Sequence, residues 1–225
     1  MSERLIAIGD IHGCYYTLKD LMSAIEYNKD TDTVVFIGDY IDRGPHSYRT
    51  VKFLRQLQFY AGTDKVICLR GNHEQMAIDA CGELRWPWVA NGAEATLFNY
   101  QEVGADFDID LSWFRSLPLV YDTPEILFCH AGLTHPKISD NIVEDVLWGR
   151  EWIDRDSRPR EKQVVFGHTP DSRWMQAYWT KSGDLCLDGG CVFGGKMSAA
   201  IFYDDGTPMK LVNIKRNKKD LRPEY

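Results

Sequence analysis

Five short runs of apolar, largely β-branched residues constrain the fold of this chain more than any other feature. They lie at Leu5–Ile8, Thr33–Ile37, Lys65–Leu69, Ile126–Cys129 and Val164–Phe166. Runs of this length without polar alternation are typical of strands that are buried on both faces. Segments with helical periodicity, Tyr16–Glu26 and Tyr48–Leu57, separate the first three runs. Because strands alternate with helices there, the sequence predicts a parallel or mixed sheet with crossover helices.

The sequence pattern changes after Gly167. Shorter strand-like segments, broken by glycine and aspartate turns, predict a second and more antiparallel sheet at Tyr178–Trp179, Leu185–Leu187, Met197–Tyr203 and Met209–Ile214. Between residues 91 and 118, the spacing of Trp113, Phe114 and Leu117 indicates a helical region with one apolar face. We therefore expect a mixed α/β (α+β) fold with two mixed β-sheets flanked by helices.

Composition limits the classes of protein that fit this chain. The 225 residues are 44% hydrophobic and contain no repeat or evident linker, which favours a single domain over residues 1–225. No apolar run reaches the length of a membrane span, and Met1–Arg4 leads into the first strand without a signal peptide. The six cysteines form no CxxC pair and favour a reduced, cytoplasmic protein. A net charge of −7 argues against a nucleic-acid partner but is compatible with small phosphorylated substrates.

Each of the five apolar runs ends in a polar cluster that contains glycine. The clusters are Gly9–Gly13, Gly38–Gly44, Arg70–Glu74, His130–Gly132 and Gly167–Thr169. In open α/β sheets, ligands bind beyond the carboxyl ends of the strands, where glycine lets the backbone approach closely. Six side chains that can bind metal ions would meet there, namely Asp10, His12, Asp39, Asn72, His130 and His168.

The residue types of this set indicate two divalent transition-metal ions. Imidazole and carboxylate ligands together favour Mn, Fe or Zn over Ca or Mg, with Mn²⁺ as the first choice. One ion would take Asp10, His12 and Asp39, and the other would take Asp39, Asn72, His130 and His168. Asp39 would then bridge two ions at the short separation that two-metal sites use. The two cations outweigh two aspartates and a bridging hydroxide, so the site would be positive and would suit a phosphate dianion.

Any one of these motifs alone has a simpler interpretation. A single Gly-Asp is usually a turn or a helix cap, and a single histidine after a strand is usually a core residue. Five strand ends in order, each with a metal-competent side chain beside glycine, make coincidence a poor explanation. His46 and His135 lack such a pattern, and we expect both of them at the surface.

The motifs GDIHG, GDYIDRG and GNHE resemble the calcineurin-type metallophosphoesterase superfamily and, within it, the phosphoprotein phosphatase family. His130 and Gly167-His168-Thr169 follow in that family's order. The chain length, the extension Gly71–Met76 and the segment Leu187–Phe193 are similar to the small bacterial and phage branch. The resemblance covers nearly the whole chain and implies the metallophosphoesterase fold, a two-sheet β-sandwich flanked by helices.

The resemblance also implies roles for residues outside the metal set. The histidine of GNHE, here His73, would protonate the leaving oxygen, and the aspartate of DRG, here Asp42, would pair with it. An adjacent carboxylate favours imidazolium, so such an acid stays protonated near neutral pH. Guanidinium groups bind phosphate oxygens in a bidentate geometry, and the family's phosphate-binding arginines correspond to Arg43, Arg70 and Arg150. The alternative for Arg150 is a surface salt bridge with Glu151 or Asp154.

These features imply a metal-dependent phosphomonoesterase in which a metal-bridging hydroxide attacks phosphorus directly. The resemblance favours a serine/threonine protein phosphatase that acts on phosphorylated proteins or peptides, with phosphotyrosine and small phosphate esters as further substrates. We expect residues 82–91 and 155–161 on the rim of the site, where loop shape determines substrate choice.

Two other functions compete with this interpretation. One is a symmetrical bis(5'-nucleosyl)-tetraphosphatase, a sibling branch in which the DRG aspartate is commonly alanine and GNHE reads GNHD. This chain keeps Asp42 and Glu74, which favours the phosphatase. The other is a catalytically dead phosphate-binding module, which would normally have lost a ligand or the acid. Neither loss is visible in this sequence.

Overall fold

The structure, a computed structural model, describes residues 4–80, 85–135, 137–151, 153–154, 162–203 and 208–221. Within these ranges the strands are, in chain order, β1 (Arg4–Ile8), β2 (Asp32–Phe36), β3 (Val66–Cys68), β4 (Val120–Asp122), β5 (Ile126–Cys129), β6 (Gln163–Phe166), β7 (Tyr178–Trp179), β8 (Leu185–Cys186), β9 (Lys196–Phe202) and β10 (Pro208–Lys215). They form two mixed sheets, with the strand orders β10-β9-β1-β2-β3 and β4-β5-β6-β8-β7.

Helices cover the outer faces of the two sheets. In the same ranges they are α1 (Tyr15–Ala24), α2 (Ser47–Ala61), α3 (Asn72–Asp79), α4 (Arg85–Ala90), α5 (Ala93–Val103), α6 (Phe107–Ser116) and α7 (Val143–Trp148). Buried side chains of α1 to α6 pack with the first sheet, and those of α7 pack with the second. No helix of the described residues is long and apolar enough to cross a membrane.

Alternate residues of the central strands face two different apolar cores, which explains why these runs contain no polar position. Ile6 and Ile8 of β1 pack against the helices, whereas Ala7 faces the core between the sheets. Phe128 of β5 and Phe202 of β9 meet in that second core, with their ring centroids 5.9 Å apart. The two sheets therefore pack face to face, and the prediction of a two-sheet sandwich flanked by helices is confirmed.

The predicted composition of the second sheet is wrong. The four late segments do not form a sheet of their own, because β9 and β10 join β1, β2 and β3, while β7 and β8 join β4, β5 and β6. β9 pairs antiparallel with β1, with Leu5 opposite Phe202 and Ile8 opposite Ala199. β9 is buried along almost its whole length, and this suits a strand in the interior of a sheet. An apolar run records burial on both faces but does not record the pairing partner.

The positions of the predicted strands and helices agree with the structure to within a few residues. The elements that were not predicted are short. They include the α-helices α3, α4 and α7, of eight residues or fewer, and the one-turn 3₁₀ helices Ile138–Asp140, Cys191–Phe193 and Lys218–Asp220. The edge strand β4 was not predicted either, because its partly exposed residues give no apolar run. The predicted helical region between residues 91 and 118 is divided at Gly104, which has a left-handed φ of 64° and ends α5.

Candidate metal centre

The carboxyl ends of strands from both sheets meet at one place, and glycines make this close approach possible. A Cβ atom on Gly71 would lie 2.2 Å from Asp39 Oδ1, and one on Gly167 would lie 2.0 Å from Asp10 Oδ1. Such distances exclude any side chain at either glycine. The loops after β1 and β2 of the first sheet therefore contact the loops after β3 and β6 directly.

The backbone of this region is unusual for residues other than glycine. Of the seven non-glycine residues with positive φ in the described ranges, five are predicted site residues, namely His12, Asp39, Asp42, Arg43 and His168. Their φ angles lie between 46° and 72°. Left-handed backbone costs roughly 1–3 kcal/mol at each such residue and concentrates at functional sites. The chain therefore uses strained backbone to direct these particular side chains inward.

Asp39 lies at the centre of the cluster and is almost fully buried. Its Oδ2 is 3.4 Å from His12 Nε2, and its Oδ1 is 3.3 Å from His130 Nε2. Two groups bring their ligand atoms within 4.8 Å of one another, His12–Asp39–His73 and Asp39–His130–His168. Because Asp39 belongs to both groups, its position fits a carboxylate shared by two metal ions.

Hydrogen bonds to the backbone fix the tautomers of two histidines. His12 Nδ1 lies 2.8 Å from the carbonyl oxygen of Ile41, and His130 Nδ1 lies 3.0 Å from that of Ile37. A carbonyl oxygen only accepts, so each Nδ1 carries a proton and donates it. In a neutral ring Nε2 then carries the lone pair, and in both residues Nε2 faces Asp39. This is the arrangement by which proteins orient histidines that bind metal ions.

The electrostatics of the cluster favour a cation. Burial alone would lower the pKa of His130, but Asp39 and Asp10 outweigh it and raise the pKa to about 9. Burial and the neighbouring Asp188 raise the pKa of Asp10 well above its usual range, so an ionised Asp10 requires positive charge beside it. These directions agree with a donor set that fits divalent metal ions.

Asn72, His130 and His168 also meet in this cluster. The side-chain amide of Asn72 lies against both rings, and its nitrogen donates to His130 Nε2 at 2.8 Å and to His168 Nδ1 at 3.1 Å. The backbone N–H of His168 donates to Asp10 at 3.1 Å, which links the end of β6 to the end of β1. Asp10 lies outside the two tight groups, and His73 takes its place beside His12 and Asp39. All six predicted metal ligands are thus brought to one region, with Asp10 at its edge.

His73 and Asp42 form a buried pair next to the metal cluster. His73 Nδ1 lies 2.6 Å from Asp42 Oδ2, and its Nε2 lies 3.9 Å from Asp39 Oδ2. Asp42 also accepts hydrogen bonds from Trp88 Nε1 at 2.8 Å and from Thr96 Oγ1 at 2.7 Å. Three donors thus converge on one carboxylate and fix the orientation of the His73 ring.

The three predicted phosphate-binding arginines have different surroundings. Arg43 Nη1 is 2.8 Å from His12 Nε2, so this guanidinium lies at the cluster. Arg150 is exposed, and its backbone N–H donates to Glu151 Oε2 at 3.1 Å. After burial and the charge of His130, the charge of Arg150 contributes to lowering the pKa of His168 to about 2. Arg70 instead donates to Gln75 Oε1 at 2.9 Å and to the carbonyl oxygens that end α6, at Arg115 and Leu117.

The two histidines outside the cluster differ in exposure. His135 is exposed as predicted, but His46 is only partly exposed and lies 2.9 Å from the carbonyl oxygen of Lys219. Residues 82–84 and 155–161, part of the expected rim, lie outside the described residues. Residues 85–91 form α4 and the turn after it, from which Trp88 reaches Asp42.

Three further residues support the site although the sequence did not predict them, namely Asp188, Trp88 and Thr96. Asp188 is buried beside Asp10, and burial followed by the charge of Asp39 raises its pKa to about 6. Its signal was present, because Asp188-Gly189-Gly190 follows β8 as the other clusters follow their strands. Trp88 and Thr96 had no comparable signal, since an indole and a hydroxyl within helices are common in any core.

Comparison with known proteins agrees with this geometry. Residues 3–206 match the family model of the calcineurin-like phosphoesterases, and the chain belongs to this family. It is therefore a metallophosphoesterase, a hydrolase of a family that uses divalent metal ions.

Relatives within the family have more than one named activity. Serine/threonine-protein phosphatase 1 of Salmonella typhimurium is 30% identical over 203 residues, which cover 86% of this chain and 89% of the relative. A symmetrical bis(5'-nucleosyl)-tetraphosphatase of Methylococcus capsulatus is 34% identical over 130 residues, covering 57% of this chain and 43% of that protein. A serine/threonine phosphatase structure from Saccharomyces cerevisiae, at 16% identity, has a TM-score of 0.68 and covers 99% of this chain and 82% of that chain. This last likeness shows the fold alone.

Proposed function

We propose that this metallophosphoesterase is a binuclear phosphomonoesterase of the serine/threonine protein phosphatase type. The observation that carries the proposal is the buried pair of His73 and Asp42, with 2.6 Å between Nδ1 and Oδ2. The pair lies next to Asp39, where it can deliver a proton to a leaving oxygen. The substrates would be phosphorylated proteins or peptides, and small phosphate esters as well.

The metal ions fit the residues that are present. Asp10, His12 and Asp39 would hold one ion, and Asp39, Asn72, His130 and His168 would hold the other. Mixed imidazole and carboxylate ligands favour Mn²⁺, with Fe or Zn as alternatives. When bound, such ions supply Lewis acidity and a nucleophile at neutral pH.

The remaining chemistry belongs to side chains of this chain. Arg43, which lies beside His12, would orient a phosphate group through bidentate contacts, and Arg150 would add a second guanidinium. Arg70 can join them only by releasing the carbonyl oxygens of Arg115 and Leu117. His73 holds the proton for the leaving group on Nε2, which is buried and has no hydrogen-bond partner in the described residues.

Glu74, the last residue of the motif GNHE, bridges two loops of the site in a way that the aspartate of GNHD would not reproduce. Its carboxylate accepts backbone N–H bonds from Gly71 at 3.0 Å, Asp39 at 2.9 Å and Tyr40 at 2.8 Å. It therefore ties the loop after β3 to the loop that carries Asp39 and Asp42. Aspartate is one methylene shorter and would span these loops differently.

The symmetrical tetraphosphatase is the second candidate, because a symmetrical bis(5'-nucleosyl)-tetraphosphatase matches 57% of this chain and an asymmetrical one matches 92%. The leaving group separates the two functions. A serine or threonine alkoxide is the anion of a very weak acid and requires a proton from His73. A nucleotide phosphate leaves as a stable anion and requires little help. Asp42, which orients His73, thus suits alkyl phosphate monoesters.

We expect kcat/KM to be higher on phosphoserine or phosphothreonine peptides than on diadenosine tetraphosphate, with Mn²⁺ present. Asp42→Ala should lower the peptide value by roughly 10²-fold or more, as loss of general acid catalysis does, and the dinucleotide value by less. Initial rates on both substrates measure this.

Asp110→Ala is the matched control for that experiment. Asp110 is also a buried carboxylate with an aromatic donor, Tyr100 Oη at 2.7 Å, but it contacts α2 and α5 rather than the cluster. Asp110→Ala should change kcat/KM by the same factor on both substrates. If the wild type prefers the dinucleotide and Asp42→Ala leaves both kcat/KM values unchanged, the chain belongs with the tetraphosphatases.

Chelation should abolish activity, and Mn²⁺ should restore it at lower concentration than Mg²⁺, because imidazole ligands favour the softer ion. Rates on nitrophenyl phosphate after dialysis against a strong chelator, followed by titration with each ion, measure this. Full activity in metal-free protein would exclude the binuclear mechanism.

A further inference from the structure

Helix α1 follows the metal-binding loop of Asp10 and His12 and begins without a cap of its own. Its N-cap residue, Cys14, makes no side-chain hydrogen bond to the first turn, and that turn contains no acidic residue. The first N–H groups of a helix have no partner within the helix, and its positive end attracts negative charge. Something outside this segment must therefore satisfy them.

Asp220, at the other end of the sequence, supplies the cap. Its Oδ2 accepts from the backbone N–H of Thr17 at 2.7 Å and from Thr17 Oγ1 at 2.6 Å. Its Oδ1 accepts from the backbone N–H of Tyr16 at 3.1 Å. The carboxylate is buried, and it binds these groups across more than 200 residues of sequence. An aspartate at this position matches the charge preference of a helix N-terminus.

Asp220 belongs to a short turn at residues 217–220. This turn also contacts the loop after β2, which carries Asp39, Asp42 and Arg43. His46 Nε2 lies 2.9 Å from the carbonyl oxygen of Lys219. The backbone N–H of His46 donates to the carbonyl oxygen of Gly13 at 3.1 Å. A Cβ atom on Gly44 would lie 1.9 Å from the carbonyl oxygen of His12, so the two loops are in direct contact. Residues 217–220 therefore contact the first turn of α1, which follows the β1 loop, and His46, which ends the β2 loop.

We propose that the turn at residues 217–220 positions these two loops, and that Asp220 is a positioning residue for the metal ligand His12. This inference rests on the proposed function, since it concerns the ligands of the proposed metal centre. His12 precedes α1 by three residues and has a strained φ of 46°, so it has little freedom to adjust if α1 moves. Ligand geometry must be held within about 0.5 Å for a productive site. Asp220 acts through α1 and makes no contact with substrate.

Titration of Mn²⁺ into metal-free protein tests this proposal without relying on activity. Asp220→Ala and the conservative Asp220→Asn should each bind Mn²⁺ more weakly. The alanine variant should lose about 10-fold, the lower end of the loss seen when a group that directly holds a metal ligand is removed, because Asp220 acts through α1. The asparagine variant keeps one acceptor oxygen and should show a smaller loss. If the alanine variant fails to fold by circular dichroism, the asparagine variant alone decides.

Asp106→Ala is the matched control. Asp106 caps α6 by accepting from the backbone N–H of Asp108 at 2.9 Å, and α6 carries no predicted metal ligand. The Asp106→Ala variant should have a lower midpoint of thermal unfolding and an unchanged Mn²⁺ affinity. Unchanged Mn²⁺ affinity in folded Asp220 variants, or an equal loss in Asp106→Ala, would overturn the positioning role. If wild-type protein itself binds no Mn²⁺, the proposed function fails instead.

Discussion

Asp39→Asn is expected to lower kcat/KM by roughly 10³–10⁵-fold, because the lost charge stabilisation is several kcal/mol and each ~1.4 kcal/mol is tenfold in rate. One carboxylate belongs to both candidate metal groups, so its loss affects both. Asparagine has nearly the same shape and tolerates the left-handed φ of 54° at this position. The variant therefore isolates the charge. Initial rates and the number of Mn²⁺ ions bound per chain measure the effect.

Asp32→Asn is the matched control. Asp32 is a buried carboxylate at the opposite end of β2, where it pairs with Arg4 at 2.6 Å. Its replacement should lower the midpoint of thermal unfolding and leave kcat/KM of the folded protein unchanged. Near wild-type kcat/KM in Asp39→Asn, with two ions still bound, would show that Asp39 is not the shared ligand.

His73→Asn should lower kcat on phosphoserine peptides by about 10²–10⁴-fold, which is the usual contribution of general acid catalysis. The loss should be much smaller on nitrophenyl phosphate, whose leaving group needs little protonation. The backbone N–H of His73, which donates to Asp39 Oδ1 at 3.1 Å, is kept in the variant. Metal binding should therefore remain close to that of the wild type. Comparison of kcat on alkyl and aryl phosphates measures the effect.

The same variant distinguishes an acid from a ligand, because His73 lies in one of the tight metal-competent groups. If His73 binds a metal ion, His73→Asn should bind fewer Mn²⁺ ions and lose activity equally on both classes of ester. That outcome would contradict the acid role. His135→Asn, at an exposed histidine, is the control and should change neither quantity.

Local sequence patterns predicted most of the strands because each records burial over a few neighbouring residues. The run Ile126–Cys129 is apolar because β5 has an apolar core on each face, and its bounds agree with the structure. The pattern of β9 is equally clear, but its place beside β1 depends on residues almost 200 positions away. Pairing is a property of the whole chain, and a single sequence does not contain it locally.

The residues of the candidate site could be predicted because each motif is local in the sequence. Glycine and a metal-competent side chain follow each of the five strands within a few residues, and the six predicted ligands lie in one region with Asp10 at its edge. The side chains that support them come from elsewhere, such as Trp88 on α4 and Thr96 on α5. The surroundings of Arg70 depend on where α6 ends, which no motif near Arg70 specifies.

The division of the candidate ligands between two sheets has a consequence for the order of folding. Asp10, His12, Asp39 and Asn72 follow strands of one sheet, and His130 and His168 follow strands of the other. The contacts that join the two sets span 93 residues between Ile37 and His130 and 158 residues between Asp10 and His168. Closing loops of this length is slow, and such contacts form late. A complete set of ligands therefore exists only after the sheets have packed, and a partly folded chain presents two incomplete half-sites.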